Sequence, residues 1–236
     1  MEASLYAAFG LGLILGIKHA LDADHVIAVS TIVSERQGFK GASLIGAFWG
    51  LGHTATLFFV GLLVIGLRLT IPPRVALGLE FLVALMLISL GLSILWRSFR
   101  TERVHLHAHA HNPQAHTHFH LHESMEESHA HFHLFASMRR PFLVGMVHGL
   151  AGSAALMLLV LTTIPAPLAG LAYILIFGIG SVGGMLVLSS MLGLSFILAA
   201  RRFALLNRWM RVVAGAASVA FGLFLGWEIG FRRGLF

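Results

Sequence analysis

Apolar residues run along this chain in stretches longer than the core helix of a soluble domain requires, separated by short polar connections. Roughly 20 consecutive apolar residues cross the hydrocarbon of a bilayer. Six stretches reach that length, at about 4–33, 42–67, 73–97, 141–163, 168–199 and 207–230. The pattern predicts an all-α, polytopic membrane protein with about six transmembrane helices. Pro72, Pro73, Pro141, Pro165 and Pro167 fall at the proposed boundaries, where a fixed φ and a missing N–H suit a helix start or a turn. The first and fifth stretches exceed what the hydrocarbon needs, since ~30 helical residues span ~45 Å. They must tilt or break. The polar run from Lys18 to His25 marks the place where the first would break or extend beyond the apolar layer.

Composition agrees with the bilayer as solvent. The chain is 57% hydrophobic and 11% charged, with a mean hydropathy of +0.85, whereas a soluble domain carries about a quarter charged residues. With no cysteine, disulfides and thiolate metal sites are excluded. The net charge of +6 comes from Lys and Arg near the ends of the apolar stretches, not from a nucleic-acid patch. Residues 1–17 lack a basic n-region and lead directly into a polar motif, so no cleavable signal peptide is expected. Eleven Lys and Arg lie in the connections after stretches one, three and five, against four on the other side, with Lys18 inside the first stretch. The positive-inside rule then places the richer side in the cytoplasm and both termini outside.

One connection, residues 99–140, is polar and holds eleven histidines: His105, His107, His109, His111, His116, His118, His120, His122, His129, His131 and His133. Such a tract has no core to pack and is expected to be disordered when empty. Neutral imidazoles at His-x-His spacing bind borderline divalent ions, which suits a metal sponge or a cytoplasmic sensor. A solubilising loop without a role in transport is the plainer alternative.

The flanking halves, 1–98 and 141–236, resemble each other. Gly16-Ile17-Lys18-His19-Ala20-Leu21 aligns with Gly145-Met146-Val147-His148-Gly149-Leu150 at an offset of 129. Gly50-Leu51-Gly52-His53 aligns with Gly178-Ile179-Gly180-Ser181 at 128, and Leu90-Gly91-Leu92 with Phe221-Gly222-Leu223 at 131. Three helices per repeat is an odd number, so two such repeats would be inverted in the membrane. Secondary transporters use that arrangement, with substrate near mid-depth between the repeats.

The candidate chemistry is concentrated in His19-Ala20-Leu21-Asp22-Ala23-Asp24-His25. On a straight helix His19, Asp22 and His25 fall on one stripe about 120° wide, and Asp24 points away. A broken helix would bring Asp24 in as well. Imidazole with carboxylate suits nickel, cobalt, zinc or iron better than magnesium or calcium. The plainer alternative is a polar helix end at the water interface, with Lys18 paired to Asp22. Against it stands the cost of ~2.5–3.5 kcal/mol for one aspartate at mid-helix in a membrane. His53, in Trp49-Gly50-Leu51-Gly52-His53-Thr54, is a further ligand or a lone histidine bonded to a neighbouring helix. His148 occupies the repeat position of His19, in a segment without a carboxylate, and is either a ligand or a packing residue. Glu80 and Glu228 pair with arginines at helix ends or relay protons.

The run from His19 to His25, with His19-x4-Asp24-His25 inside it, resembles the signature of the nickel/cobalt transporter (NiCoT) family. Leu51-Gly52-His53-Thr54 is similar to that family's second motif. The resemblance implies a secondary permease for Ni²⁺ or Co²⁺, with His19, Asp22, Asp24, His25 and His53 needed for recognition. Family members commonly have eight spans and a later motif rich in Asp, Thr and Glu. Here six spans are read, and Gly149–Leu156 holds no acid. The chain therefore looks like the short, urease-accessory-type membrane branch, linked with nickel supply to urease or other nickel enzymes. Import for enzyme maturation is the first expectation, with efflux close behind. A scaffold that presents metal to maturation proteins without transporting it is a further class. An intramembrane metalloenzyme is disfavoured, since no His-Glu-x-x-His is present. No organic cofactor is expected, and the oligomeric state is left open.

Overall fold

The computed structural model describes residues 2–35, 38–99, 105–111, 114–120, 134–164, 166–202 and 204–236. They form seven α-helices in the order α1 (Glu2–His19), α2 (Ala23–Val33), α3 (Phe39–Gly66), α4 (Pro73–Phe99), α5 (Leu134–Thr163), α6 (Pro167–Arg202) and α7 (Ala204–Trp227). A π-helical turn, Glu228–Arg232, continues α7. Strands β1 (His105–His111) and β2 (Gln114–His120) lie between α4 and α5. Among the described residues four helical segments are long and apolar enough to cross a membrane: Phe39–Gly66, Pro73–Phe99, Pro167–Ala199 and Leu206–Arg232. Their outward surfaces carry large apolar side chains, among them Phe59, Leu92, Ile179, Met191 and Trp209. A surface this apolar is suited to lipid rather than water.

The first stretch breaks where its polar residues begin. Helix α1 closes with short i→i+3 bonds, Leu21 N–H to Lys18 O at 2.9 Å and Asp22 N–H to His19 O at 3.0 Å. Asp22 is extended (φ −61°, ψ 148°) and α2 starts after it. The straight-helix stripe of His19, Asp22 and His25 is therefore not formed, because three residues at the break take the chain off the helical period. The fifth stretch does not break: α6 runs 36 residues without interruption. Helix α5 begins at Leu134 rather than near 141, so Pro141 lies inside it. Its added N-terminal turns carry Arg140 to Glu35, with Nη1 donating to Oε2 at 2.7 Å.

The histidine-rich connection departs from the expected disorder. Its described residues His105–His111 and Gln114–His120 pair as antiparallel strands, with His105 opposite His120, His107 opposite His118 and His109 opposite His116. The reason is legible in hindsight: strict alternation has the period of a strand. His122, His129, His131 and His133 lie outside the described residues.

Helix α3 packs between α5 and α6, α1 lies along α6, and α4 pairs with α7. Backbones touch at glycines that leave no room for a Cβ. At Gly16 that atom would collide with the carbonyl of Phe177, at Gly145 with that of Trp49, at Gly52 with that of Phe142 and at Gly180 with that of Leu13. Two apolar clusters result. Ala20, Val29, Ile45, Trp49 and Met185 belong to one, and Leu57, Val64, Val160, Ile174 and Phe177 to the other.

Candidate functional site

Four histidines and an aspartate converge where the α1–α2 break meets α3 and α5. His53 stands at the middle of α3 (Phe39–Gly66) and His148 at the middle of α5 (Leu134–Thr163), so each projects from deep within its helix. The break supplies His19 as the last residue of α1, and Asp24 and His25 from the first turn of α2. The carbonyl end of α1 favours a cation, and the N–H end of α2 favours a carboxylate such as Asp24. Half-helix ends meeting at depth are a recurring device of membrane ion sites.

Ligating atoms of His19, His25 and His53 lie within 4.8 Å of one another, and so do those of Asp24, His25 and His148. His25 belongs to both groups. Its ring centroid is 4.1 Å from that of His148, 4.6 Å from His19 and 5.3 Å from His53. Asp24 and His148 share a hydrogen bond of 2.9 Å between Oδ2 and Nε2. The other oxygen of Asp24 accepts the His25 backbone N–H at 3.0 Å.

Burial separates the members. His25 and His53 are fully buried, and His148 nearly so. The side chains of His19, Asp24 and Asp22 are 24%, 30% and 51% exposed, which puts the open edge of the cluster on the break. Both ring nitrogens of His25, both of His53, and Nδ1 of His148 have no hydrogen-bond partner. An orphaned buried polar atom costs about 1–3 kcal/mol. A dehydrated divalent cation of the imidazole-binding class would offset that cost.

Asp22 stands one step back. Its carboxylate is 2.8 Å from Nδ1 of His19 and in neither ligating group. That bond orients the ring and leaves Nε2 for an ion, the usual service of an outer carboxylate to a metal-binding histidine. Lys18 is exposed and forms no ion pair with Asp22, whose carboxylate is turned to His19 instead.

Three residues that sequence reasoning did not rank as functional shape the site. Phe177 packs on His19 at 5.4 Å between ring centroids, and Trp49 packs on His148 at 5.8 Å. A Cβ at Gly152 would lie 3.9 Å from Nε2 of His19 and 4.0 Å from Cε1 of His53, so this glycine keeps the mouth of the first group clear. Trp49 lies four residues before His53, on the same helical face. Phe177 stands 128 positions after Trp49, at the repeat offset. Elsewhere, Glu80 is bonded by Arg233, which makes it a structural ion pair. Glu35 is held by Arg97 at 3.0 Å and Arg140 at 2.7 Å.

An apolar helical bundle with buried imidazole and carboxylate donors brought together is the arrangement of a membrane protein with a candidate transition-metal site. Comparison with known proteins places it more closely. Residues 5–226 match the NicO model, described as "High-affinity nickel-transport protein", and the chain belongs to that family. It is 36% identical over 235 residues to "Urease accessory protein UreH" of Bacillus sp. (strain TB-90), covering 100% of this chain and 97% of that protein. Over 60 residues it is 37% identical to "High-affinity nickel-transport protein NixA" of Helicobacter pylori (strain ATCC 700392 / 26695), covering 25% of this chain and 18% of the other. The same match recurs in strain J99 / ATCC 700824. No solved structure matches the chain.

Proposed function

We propose that this chain is a membrane permease that moves Ni²⁺, and with it Co²⁺, through the cluster formed by His19, Asp24, His25, His53 and His148. The observation that carries the proposal is the set of buried ring nitrogens without hydrogen-bond partners, on three helices, in two overlapping groups of possible ligands that share His25. Asp22 serves by orienting His19. The ion sheds part of its water for imidazole and carboxylate, and the half-helix ends at the break favour its charge.

The bundle reads as six spans in two inverted three-helix repeats, with α1 and α2 together equivalent to α5, α3 to α6 and α4 to α7. The close contacts support this. Gly16 on Phe177 and Gly145 on Trp49 are related by the repeat offsets, as are Gly52 on Phe142 and Gly180 on Leu13, and Gly91 on Gly215 and Gly222 on Ala84. Repeats of this kind rock against each other around a fixed site. The distribution of Lys and Arg puts the hairpin in the cytoplasm and the termini outside. Loop histidines 105–120 then form a second, surface metal store beside the permease.

Import fits best, and the likeness to a urease accessory protein favours delivery to nickel-enzyme maturation proteins. Export is the alternative direction; the histidine-rich hairpin on the proposed cytoplasmic side is the observation in its favour. No enzymatic role is proposed, since the acids Glu35 and Glu80 are tied to arginines away from the cluster. The test is radiolabelled nickel flux into proteoliposomes. The permease accumulates nickel above empty vesicles, cobalt competes and calcium does not. Flux equal to that of empty vesicles defeats the reading and leaves a metal-presenting scaffold.

A further inference from the structure

The ligating groups fall into two triads, not one site. A first-row divalent ion bonds nitrogen and oxygen at about 2.0–2.2 Å, so two ligands of one ion lie at most ~4.4 Å apart. Among the described residues no group larger than three has its donor atoms within 4.8 Å of one another. Rings of His53 and His148 stand 6.1 Å apart between centroids. One ion therefore cannot hold both triads in this arrangement. Both triads use His25, so two ions at once would require its ring to lose both protons and bridge them through Nδ1 and Nε2, whereas a single ion needs only the neutral ring.

The triads also differ in state. The three-imidazole triad is open at His53, whose two ring nitrogens have no hydrogen-bond partner, while His25 Nδ1 lies 3.3 Å from Asp24 Oδ1 on the side of the other triad. The other is latched on itself through the Asp24–His148 hydrogen bond. They are related by the repeat as well. His19 of the first triad and His148 of the second are 129 positions apart in matching motifs. Each packs on the aromatic ring of the opposite half, Phe177 for His19 and Trp49 for His148, themselves 128 apart.

Resting on the permease reading, we propose that a single ion occupies the two triads in turn. It passes from His19–His25–His53 to Asp24–His25–His148, and His25 is the ligand that never lets go. His19 and His148 are then the ligands exchanged when the halves rock. The second half has no acid of its own near His148, and this account gives the reason: it borrows Asp24 from the first.

The experiment uses the full chain in lipid nanodiscs, with Ni²⁺ as probe. Nickel bound in excess of the His25→Gln chain removes the contribution of the loop histidines. Wild type is expected to hold one such ion. His53→Gln and His148→Gln, each close in size to the native ring, still hold one ion but lose nickel uptake at least tenfold. Nickel-edge X-ray absorption reads three imidazoles in the His148→Gln chain, and two imidazoles with a carboxylate in the His53→Gln chain. Loss of the ion in either folded variant, or two His25-dependent ions in wild type, overturns the proposal. An independent readout needs no variant: wild type given less than one equivalent of nickel shows no more than three imidazoles per ion, and four overturn it. If wild type binds in this pattern yet moves no nickel, the permease reading fails while the two-position binding stands.

Discussion

At the scale of single residues, the site is a matter of which ring nitrogens are free. His19 has one nitrogen committed to Asp22 at 2.8 Å, and this leaves the other facing the space beside Gly152, where the proposed ion would sit. Removing an outer carboxylate of this kind typically lowers metal affinity by 10–100-fold. Asp22→Ala is therefore expected to weaken nickel binding within that range while the chain still folds, measured by titration calorimetry in nanodiscs; unchanged affinity would remove Asp22 from the account. Gly152→Ala tests the same space from the opposite wall. Its new methyl meets His19 and His53 only at ordinary contact distance, 3.9 and 4.0 Å, so folding survives. Nickel uptake is expected to fall several-fold because the methyl narrows the ion's place; uptake at the wild-type rate would show that the ion sits elsewhere.

At the scale of elements, the decisive feature is a helix that stops. The motif from His19 to His25 was legible as chemistry, because ionisable residues in an apolar stretch are expensive. Their arrangement was not. A helical wheel groups His19, Asp22 and His25, whereas the break groups His19 with His25, brings Asp24 in and leaves Asp22 outside the ligating groups. Helical period predicts faces only while the helix continues, and the residues that end it do so through local bonds such as Asp22 to His19. His148 was legible only as the counterpart of His19. That it reaches Asp24 across the helix interface depends on how closely α3, α5 and the break approach, which a pattern along the chain does not encode. The hairpin was misread as disorder because polarity was weighed above alternation. Close approach itself is open to test. Gly16→Val would force α1 from α6 by placing a side chain against the Phe177 carbonyl. The expected result is loss of folded protein after detergent extraction, read by size-exclusion chromatography, and a monodisperse variant would contradict the packing.

At the scale of the whole molecule, the all-helical, apolar character was legible. Four of the six stretches read from the sequence stand as helical segments long and apolar enough to cross a membrane, while the first is broken into α1 and α2 and the fourth begins earlier, at Leu134. The internal offsets relate the glycine contacts of the two halves, which is what a two-fold relation within the chain requires. Orientation rests on charge alone and is directly measurable. The chain has no cysteine, so one introduced thiol reports its side without background. Gln114→Cys, in the hairpin, should react with an impermeant maleimide only from the cytoplasmic face, and Leu69→Cys, between α3 and α4, only from outside. The reverse pattern would invert the protein, put the hairpin outside and remove the one observation that favours export.

What ties the three scales together is the proposal that the buried imidazoles hold the travelling ion. The most direct measurement is nickel flux into proteoliposomes carrying His25→Ala beside wild type, at matched amounts of folded protein. Flux at the level of empty vesicles for the variant, with wild type well above it, is the predicted result. Equal flux through both chains would contradict it, because no path that uses either triad survives the loss of the one residue they share.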